Sequence, residues 1–303
     1  MTIKHLVIGG GGPIGLIMYG ALKKLHEKKV WDFKNIETIH ATSIGGFIAL
    51  IIILEYDWEW MDDYIIKRPW NKLFDLENKN LIYSFVNQMG ILDHDIIKNS
   101  VKPLLLASDL NENITLKELY DYKNIELHLY STNINTSDFF EKIDISYKTY
   151  PDLQLIQALI MSACIPILIK PIYFDNKFYI DGGFVNNFPL NDCLNMNNCN
   201  DSEILAFKST TIAFINEHYT ENNLNVFKYM LRLIAIFINK LIFINTNMQQ
   251  NISNTIICDV PQNIYNINLW IDILNNIEKR KYLIDIGVNT GEHFYDNIYQ
   301  SEN

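Results

Sequence analysis

The sequence predicts an α/β protein with a mainly parallel central sheet and helices on both faces. Three observations carry this. Short apolar runs alternate with longer segments of helical periodicity, as strands and crossover helices do. The first run, HLVIG, opens directly onto a glycine tract, GGGGPIG. Finally, 49% hydrophobic and 20% charged residues in a 303-residue chain give enough apolar surface for a sizeable core.

The elements follow in order. HLVIG is a short apolar run ending in glycine, as a buried parallel strand does. PIGLIMYGALKKLHEKK places Leu16, Tyr19, Leu22 and Leu25 at helical spacing and ends in lysines, which suit a helix C-terminus. IETIHATS is a second strand, and IGGFIALIIILEY a nearly all-apolar, buried helix. LDHDIIKNSVKPLLLA and TLKELYDY are helices, the second opened by Thr115 with Glu118 three residues on, a capping box. IELHLYSTNI is a strand, and DLQLIQALIMSAC a helix ended by Ile165-Pro166. PIYFDNKFYIDGG is a hairpin turning at Asp175-Asn176, whose second strand ends at Asp181. NLNVFKYMLRLIAIFINKLIFI is a long helix, NTIICDVP a strand, and WIDILNNIEKRKYLIDIGVNTGEHF helical. No repeat, low-complexity tract or Pro/Gly/Ser linker interrupts the chain, so one domain over 1–303 is expected.

Composition removes several functions. A formal charge of −10 argues against nucleic acid and against anchoring to anionic lipid by bulk charge. The four cysteines, Cys164, Cys193, Cys199 and Cys258, form no CxxC pair and have no accompanying histidine cluster, so no metal site is expected. They read as free thiols of a reducing compartment. The N-terminal apolar stretch is too short for a signal peptide, so an intracellular protein, cytoplasmic or membrane-peripheral, is expected.

From Gly10 the glycine tract matches GxGxxG, the dinucleotide fingerprint. Two features oppose a nucleotide. The acidic residue Glu37 begins the second strand, where the fingerprint needs one at its end, and Pro13 lacks an N–H. Proline suits the first position of a helix instead, which makes Gly12 the expected cap. The N–H groups of Gly11 and Gly12 would then point into a cleft beside the helix's positive end, as an oxyanion hole requires. No cofactor is expected.

ATSIGG approximates GxSxG, the nucleophile elbow. The turn is so sharp that the flanking residues must be small, which Gly45 satisfies, while Ala41, two before the serine, adds a single methyl. It would hold Ser43 at a helix N-terminus, though an ordinary N-cap serine fits the same residues. Serine needs a base. YIDGGF offers Asp181, followed by Gly182 and Gly183, and parallel strands present their C-terminal ends at one sheet edge, where the two side chains would meet. A plain Asp-Gly turn is the alternative.

A first-strand glycine loop, a serine elbow and a late Asp-Gly-Gly, in that order, resemble the patatin-like phospholipases. The resemblance extends to MSACIPILIKPI, TLKELYDYKNIELHLYSTNI and YLIDIGVNTGEHF. It implies a patatin-like three-layer sandwich and an acyl hydrolase acting on lipid esters through a Ser–Asp dyad without histidine. Ser43 would be the nucleophile and Asp181 the base. Gly11 and Gly12 would form the oxyanion hole, with Gly10, Gly15, Gly45, Gly182 and Gly183 completing the motifs. Ala41 departs from the family's elbow glycine, and Ile14 stands where the family usually has Arg or Lys.

Other readings remain. A Ser-His-Asp α/β-hydrolase would draw its histidine from His218 or His293, which alone follow Asp181. A nucleotide-binding module would use the glycine loop. An inactive lipid-binding homologue would explain Ala41 and Ile14. The expected partner is a lipid or phospholipid, with transient membrane-surface contact. The long helix carries Phe227, Met230, Leu231, Ile234, Ile238, Leu241 and Ile242 on one face, which fits packing on the sheet first and, for part of it, contact with a bilayer or acyl chain, and Lys228, Arg232 and Lys240 argue against its spanning a bilayer.

Overall fold

A computed structural model describes residues 2–74, 81–137, 140–209, 226–247, 251–259 and 267–299. Its core is a sheet built on four parallel pairings. Strand β1 (His5–Ile8) lies between β2 (Thr38–Thr42) and β9 (Ile204–Lys208), β10 (Thr255–Ile257) flanks β9, and β4 (Glu126–Asn133) flanks β2. Every residue of β1, β2 and β9 is buried, as expected for central parallel strands covered on both faces.

The sheet is mixed rather than wholly parallel. Beyond β4 the pairing turns antiparallel, with β8 (Lys177–Asp181), then β7 (Ile172–Phe174), and with β5 (Glu141–Ile145) on the other edge of β4. Asp175 and Asn176 connect β7 to β8 with φ of 48° and 60°, the backbone a two-residue hairpin turn needs. A separate parallel pair joins β3 (Gly90–Leu92) to β6 (Ile167–Ile169).

Strand alternation divides the core into two faces. Leu6, Ile8, Ile39, Ala41, Leu127 and Leu129 point into the larger cluster, and Val7, Ile204 and Ala206 into the smaller one with Leu190 and Cys193. Helix α1 (Gly15–Glu27), helix α2 (Ile44–Leu54) and the helices Leu155–Ala163 and Ile277–Tyr299 contribute to the larger face, helix Leu190–Asn197 to the smaller. Gly20 and Gly287 let α1 and helix Ile277–Tyr299 touch backbone to backbone, because a Cβ at either would overlap a carbonyl of the other helix.

The expected long helix runs over Val226–Asn247, and its first three expected residues lie outside the described ones. The capping box at Thr115 and Glu118 is present. The C-terminal helical segment is two helices, Ile267–Asn275 and Ile277–Tyr299, separated at Asn276.

Candidate active site

The site begins where β2 stops. Thr42, its last residue, pairs with Tyr130 of β4. The next position along the same edge of β4, Ser131, pairs with Asp181 at the end of β8. Strand β5 pairs with this stretch of β4 as well, so it occupies the opposite edge, and β2 and β8 must share one edge and meet end to end. The expectation that parallel strands gather both residues is therefore corrected. Strand β8 runs antiparallel to β4 and arrives head-on at the place β2 vacates.

Ser43 vacates it by turning sharply. Its φ of 55° and ψ of −123° lie outside the ordinary regions for an L-residue, and helix α2 starts at the next residue. Close packing enforces the turn. A Cβ on Gly45 would overlap the carbonyl of Ile8, and one on Gly10 would stand 3.3 Å from the Ser43 Cβ. The N–H of Ser43 donates to Ser162 Oγ at 3.0 Å, and that hydroxyl donates to the carbonyl of Tyr130 at 2.7 Å. Ser43 lacks a side-chain capping bond to α2, so its hydroxyl does not act as an N-cap. Ala41, where the family has glycine, is fully buried in β2 and leaves the elbow intact.

Asp181 is held as firmly. Its N–H donates to the Cys164 carbonyl at 2.9 Å, and its own carbonyl accepts from Thr132 Oγ1 at 2.9 Å. The side-chain Oδ1 accepts the Gly183 N–H at 2.7 Å. Oδ2 is buried and accepts no bond of ordinary length and angle, although the Ser43 hydroxyl is near enough to favour the carboxylate. Burial pushes the Asp181 carboxyl up to about 6, against the opposing pull of the Ser43 hydroxyl and the Gly183 N–H. Gly182 fits because a Cβ there would overlap the Tyr130 carbonyl, the one that anchors Ser162.

The glycine tract packs beside the elbow. Gly9 and Gly10 donate their N–H groups to the carbonyls of Phe207 and Asn187. Among the described residues, Gly11 and Gly12 donate to no backbone carbonyl and are half-exposed. Gly11, not Gly12, occupies the cap of the 3₁₀ turn Gly12–Ile14 that precedes α1, which corrects the expected capping residue. Gly12 is the first residue of that turn, with φ of 52°, so Pro13 falls at its second position and not its first. The indole of Trp270 lies against Gly12, where a Cβ would come within 2.6 Å of it. Ile14 is fully buried in the core and puts no cation near the serine.

Ser43 and Gly12 open onto a cavity of about 230 Å³. Ile44, Phe47 and Ile51, at turn spacing along α2, form one wall, while Leu16 and Tyr19 of α1 and Trp270 form others. The lining is almost wholly apolar, a poor match for phosphates and a good one for a hydrocarbon chain.

No histidine lines this cavity among the described residues. His40 projects from the other face of β2, where its Nδ1 meets the Tyr130 hydroxyl at 2.9 Å and its ring stacks on His128 at 4.4 Å. His293 hydrogen-bonds to Asn297 on the C-terminal helix. His218 lies outside the described residues. Among those residues no His/Cys/Asp/Glu group is arranged to hold a metal ion.

Sequence reasoning missed Ser162, Trp270 and Arg280. Ser162 is one more small residue in MSAC, and only its position behind the elbow gives it a role. Buried Arg280 donates from Nη1 to the carbonyls of Ile273 and Leu274, and from Nε and Nη2 to that of Ile66. It thereby ties the helix that carries Trp270 to helix Trp58–Lys67. Nothing in its sequence neighbourhood signals that role.

Fold and site together define the class: an α/β sandwich with helices on both faces of its sheet, whose elbow serine opens onto an apolar cavity. Comparison with known proteins agrees. The model of the patatin-like phospholipase family matches residues 6–194, and the chain belongs to that family. It is 28% identical over 233 residues to the probable lipid hydrolase 463L of Invertebrate iridescent virus 6, covering 74% of this chain and 77% of that one. An uncharacterized protein of Acanthamoeba polyphaga mimivirus is 22% identical over 304 residues, covering 94% and 91%. The crystal structure of VipD from Legionella pneumophila shares the fold, with a TM-score of 0.54 at 16% identity, covering 97% of this chain and 67% of that one.

Proposed function

We propose that this chain is a lipid acyl hydrolase that cleaves fatty acyl esters through a Ser43–Asp181 dyad and an acyl-enzyme intermediate. The observation that carries the proposal is the end-to-end meeting of β2 and β8, which sets a buried, partly unpartnered carboxylate beside a serine held at positive φ. Asp181 takes the hydroxyl proton as Ser43 Oγ attacks the ester carbonyl. The N–H groups of Gly11 and Gly12 receive the oxyanion, and the acyl chain occupies the apolar cavity. Collapse of the tetrahedral intermediate expels the alcohol, protonated by Asp181. Water, deprotonated by Asp181, then attacks the acyl-serine and releases the fatty acid.

The raised pKa of Asp181 suits this role. A carboxylate of ordinary pKa is a weak base, whereas one titrating at about 6 is stronger and still ionised at neutral pH. The test is to incubate the protein with a mixed lipid extract and identify released products by mass spectrometry, beside Ser43→Ala. A fluorophosphonate probe should label Ser43 and no other serine. Fatty acid release undiminished in Ser43→Ala would overturn the assignment.

A further inference from the structure

Helix Val226–Asn247 has an exposed side that the proposed chemistry does not use. Val226 is 76% exposed, Tyr229 50% and Phe237 62%, with Ile236 and Ile244 above 36% as well. At 100° per residue these five positions fall within an arc of about 100°. The segment VFKYMLRLIAIFINKLIFINTN contains three cations and no acidic residue, in a chain whose formal charge is −10. Among the described residues no helix is long and apolar enough to cross a membrane. Lys240, also exposed, falls within the same arc, so the face is apolar with a cation among its side chains, and a helix of this kind that does not span can lie in the plane of a lipid surface.

The inner side of the helix ties this face to the site. The face expected to meet lipid turns inward instead, because its apolar side chains complete the core: Met230 and Ile234 pack on the cluster of Ile91, Leu92 and Ile167, and Ile234 and Leu241 on Ile180 and Phe184, which bracket Asp181. Trp270 and Leu274 belong to the first of these clusters and also line the cavity. The inner side of the helix and the cavity wall therefore share one cluster of side chains. Helix Leu81–Gln88, which has no charged residue, packs Phe85 on the same cluster and leaves Tyr83 and Val86 exposed.

We infer that the outer face of helix Val226–Asn247, extended by helix Leu81–Gln88, is a docking surface for a neutral phospholipid bilayer, seated beside the acyl cavity. The inference rests on the acyl-hydrolase reading for its purpose and not for its geometry. A neutral surface is specified because the chain's overall negative charge disfavours an anionic one, while aromatic and aliphatic side chains enter the interface without charge.

The experiment is flotation of the full chain with phosphatidylcholine vesicles, comparing wild type with the double variant Tyr229→Ser/Phe237→Ser. The variant is expected to bind at least tenfold more weakly, to keep its melting temperature, and to hydrolyse a short water-soluble ester within twofold of wild type. Wild-type binding should survive high salt, because apolar insertion is not screened. Wild type that binds vesicles but hydrolyses no ester would leave the docking surface standing and remove the hydrolase reading. Equal binding by the two proteins would overturn the inference. So would binding that needs anionic lipid and is released by salt. Joint loss of vesicle binding, short-ester turnover and stability would show that the face packs within the protein. A soluble dimer broken by the double substitution, with no vesicle binding by wild type, would show that a second copy covers it.

Discussion

Asp181→Asn separates chemistry from stability, because the same burial that makes the carboxylate basic opposes folding. The carboxyl titrates at about 6 in the folded chain, against roughly 3.9 when unfolded. Between these values the folded state holds a proton that the unfolded state has released. Stability therefore falls as pH rises from 4 to 6, and stays reduced above 6. At roughly 1.36 kcal/mol for each pH unit of separation, the loss is about 3 kcal/mol. Asparagine is close in shape, keeps an oxygen for the Gly183 N–H, and turns an amide toward the Ser43 oxygen, which can accept. At pH 8 the variant should be more stable by about 2–3 kcal/mol, or roughly 4–6 °C in melting temperature for a chain of this size. Near pH 4 the gap should close. Turnover should fall at least ~10²-fold, as for loss of a general base. Thermal melts of both proteins from pH 4 to 8, beside esterase rates, are the assay. A variant less stable than wild type at pH 8, or a gap that does not depend on pH, would refute the account of Asp181. Wild-type kcat/KM should rise through pH 6 while stability declines over the same interval.

Three further outcomes are expected. Ser162→Ala removes the acceptor for the Ser43 N–H and should lower kcat about tenfold with KM held, while destabilising the fold by roughly 1–3 kcal/mol; steady-state kinetics and denaturant melts report both. His293→Gln and His218→Gln should each cost less than about tenfold in turnover, since a dyad needs no histidine, and abolition by either would favour a Ser-His-Asp triad. His128, between Glu126 and Asp144, is raised to about 9, so its contribution to stability is complete below about 6.5 and is lost as pH rises through 9. Denaturant midpoints of wild type should accordingly drop between pH 7 and 9.5, and those of His128→Gln should lack that part of the drop.

Much of the frame was legible because local chemistry dictates it. HLVIG, IETIHATS and IELHLYSTNI read as strands since each is a short apolar run, and Asp175-Asn176 read as a turn since both residues tolerate positive φ. The elbow was legible as small residues around Ser43. What escaped depends on partners distant in sequence. Strand β9, ILAFK, is five residues long and follows a polar stretch, so only its neighbours β1 and β10 mark it as a central strand. The antiparallel entry of β8 hides because periodicity carries no strand direction. Trp270 reads as one more apolar position on an amphipathic helix, and its contact with Gly12 exists only once that helix is docked. The capping residue was placed one position late because proline is accepted at the second position of a 3₁₀ turn as well as at the first of a helix.

The abutment of β2 and β8 has a consequence for how the proposed dyad can vary. Strand β8 is paired to β4 at three positions, Ser131, Thr132 and Asn133. A slip of one residue would turn the Asp181 side chain to the opposite face of the sheet, and a slip of two would carry it about 7 Å along the strand. Separation between base and nucleophile is therefore quantised by the ladder, and small sequence changes in the hairpin cannot adjust it by degrees. The two residues also belong to units of unequal strength. Ser43 sits between a fully buried strand and a helix buried along most of its length, whereas Asp181 ends a hairpin with exposed and half-buried positions. Opening that hairpin alone would withdraw the base and leave the serine in place, so activity should disappear at a lower free energy than the fold itself.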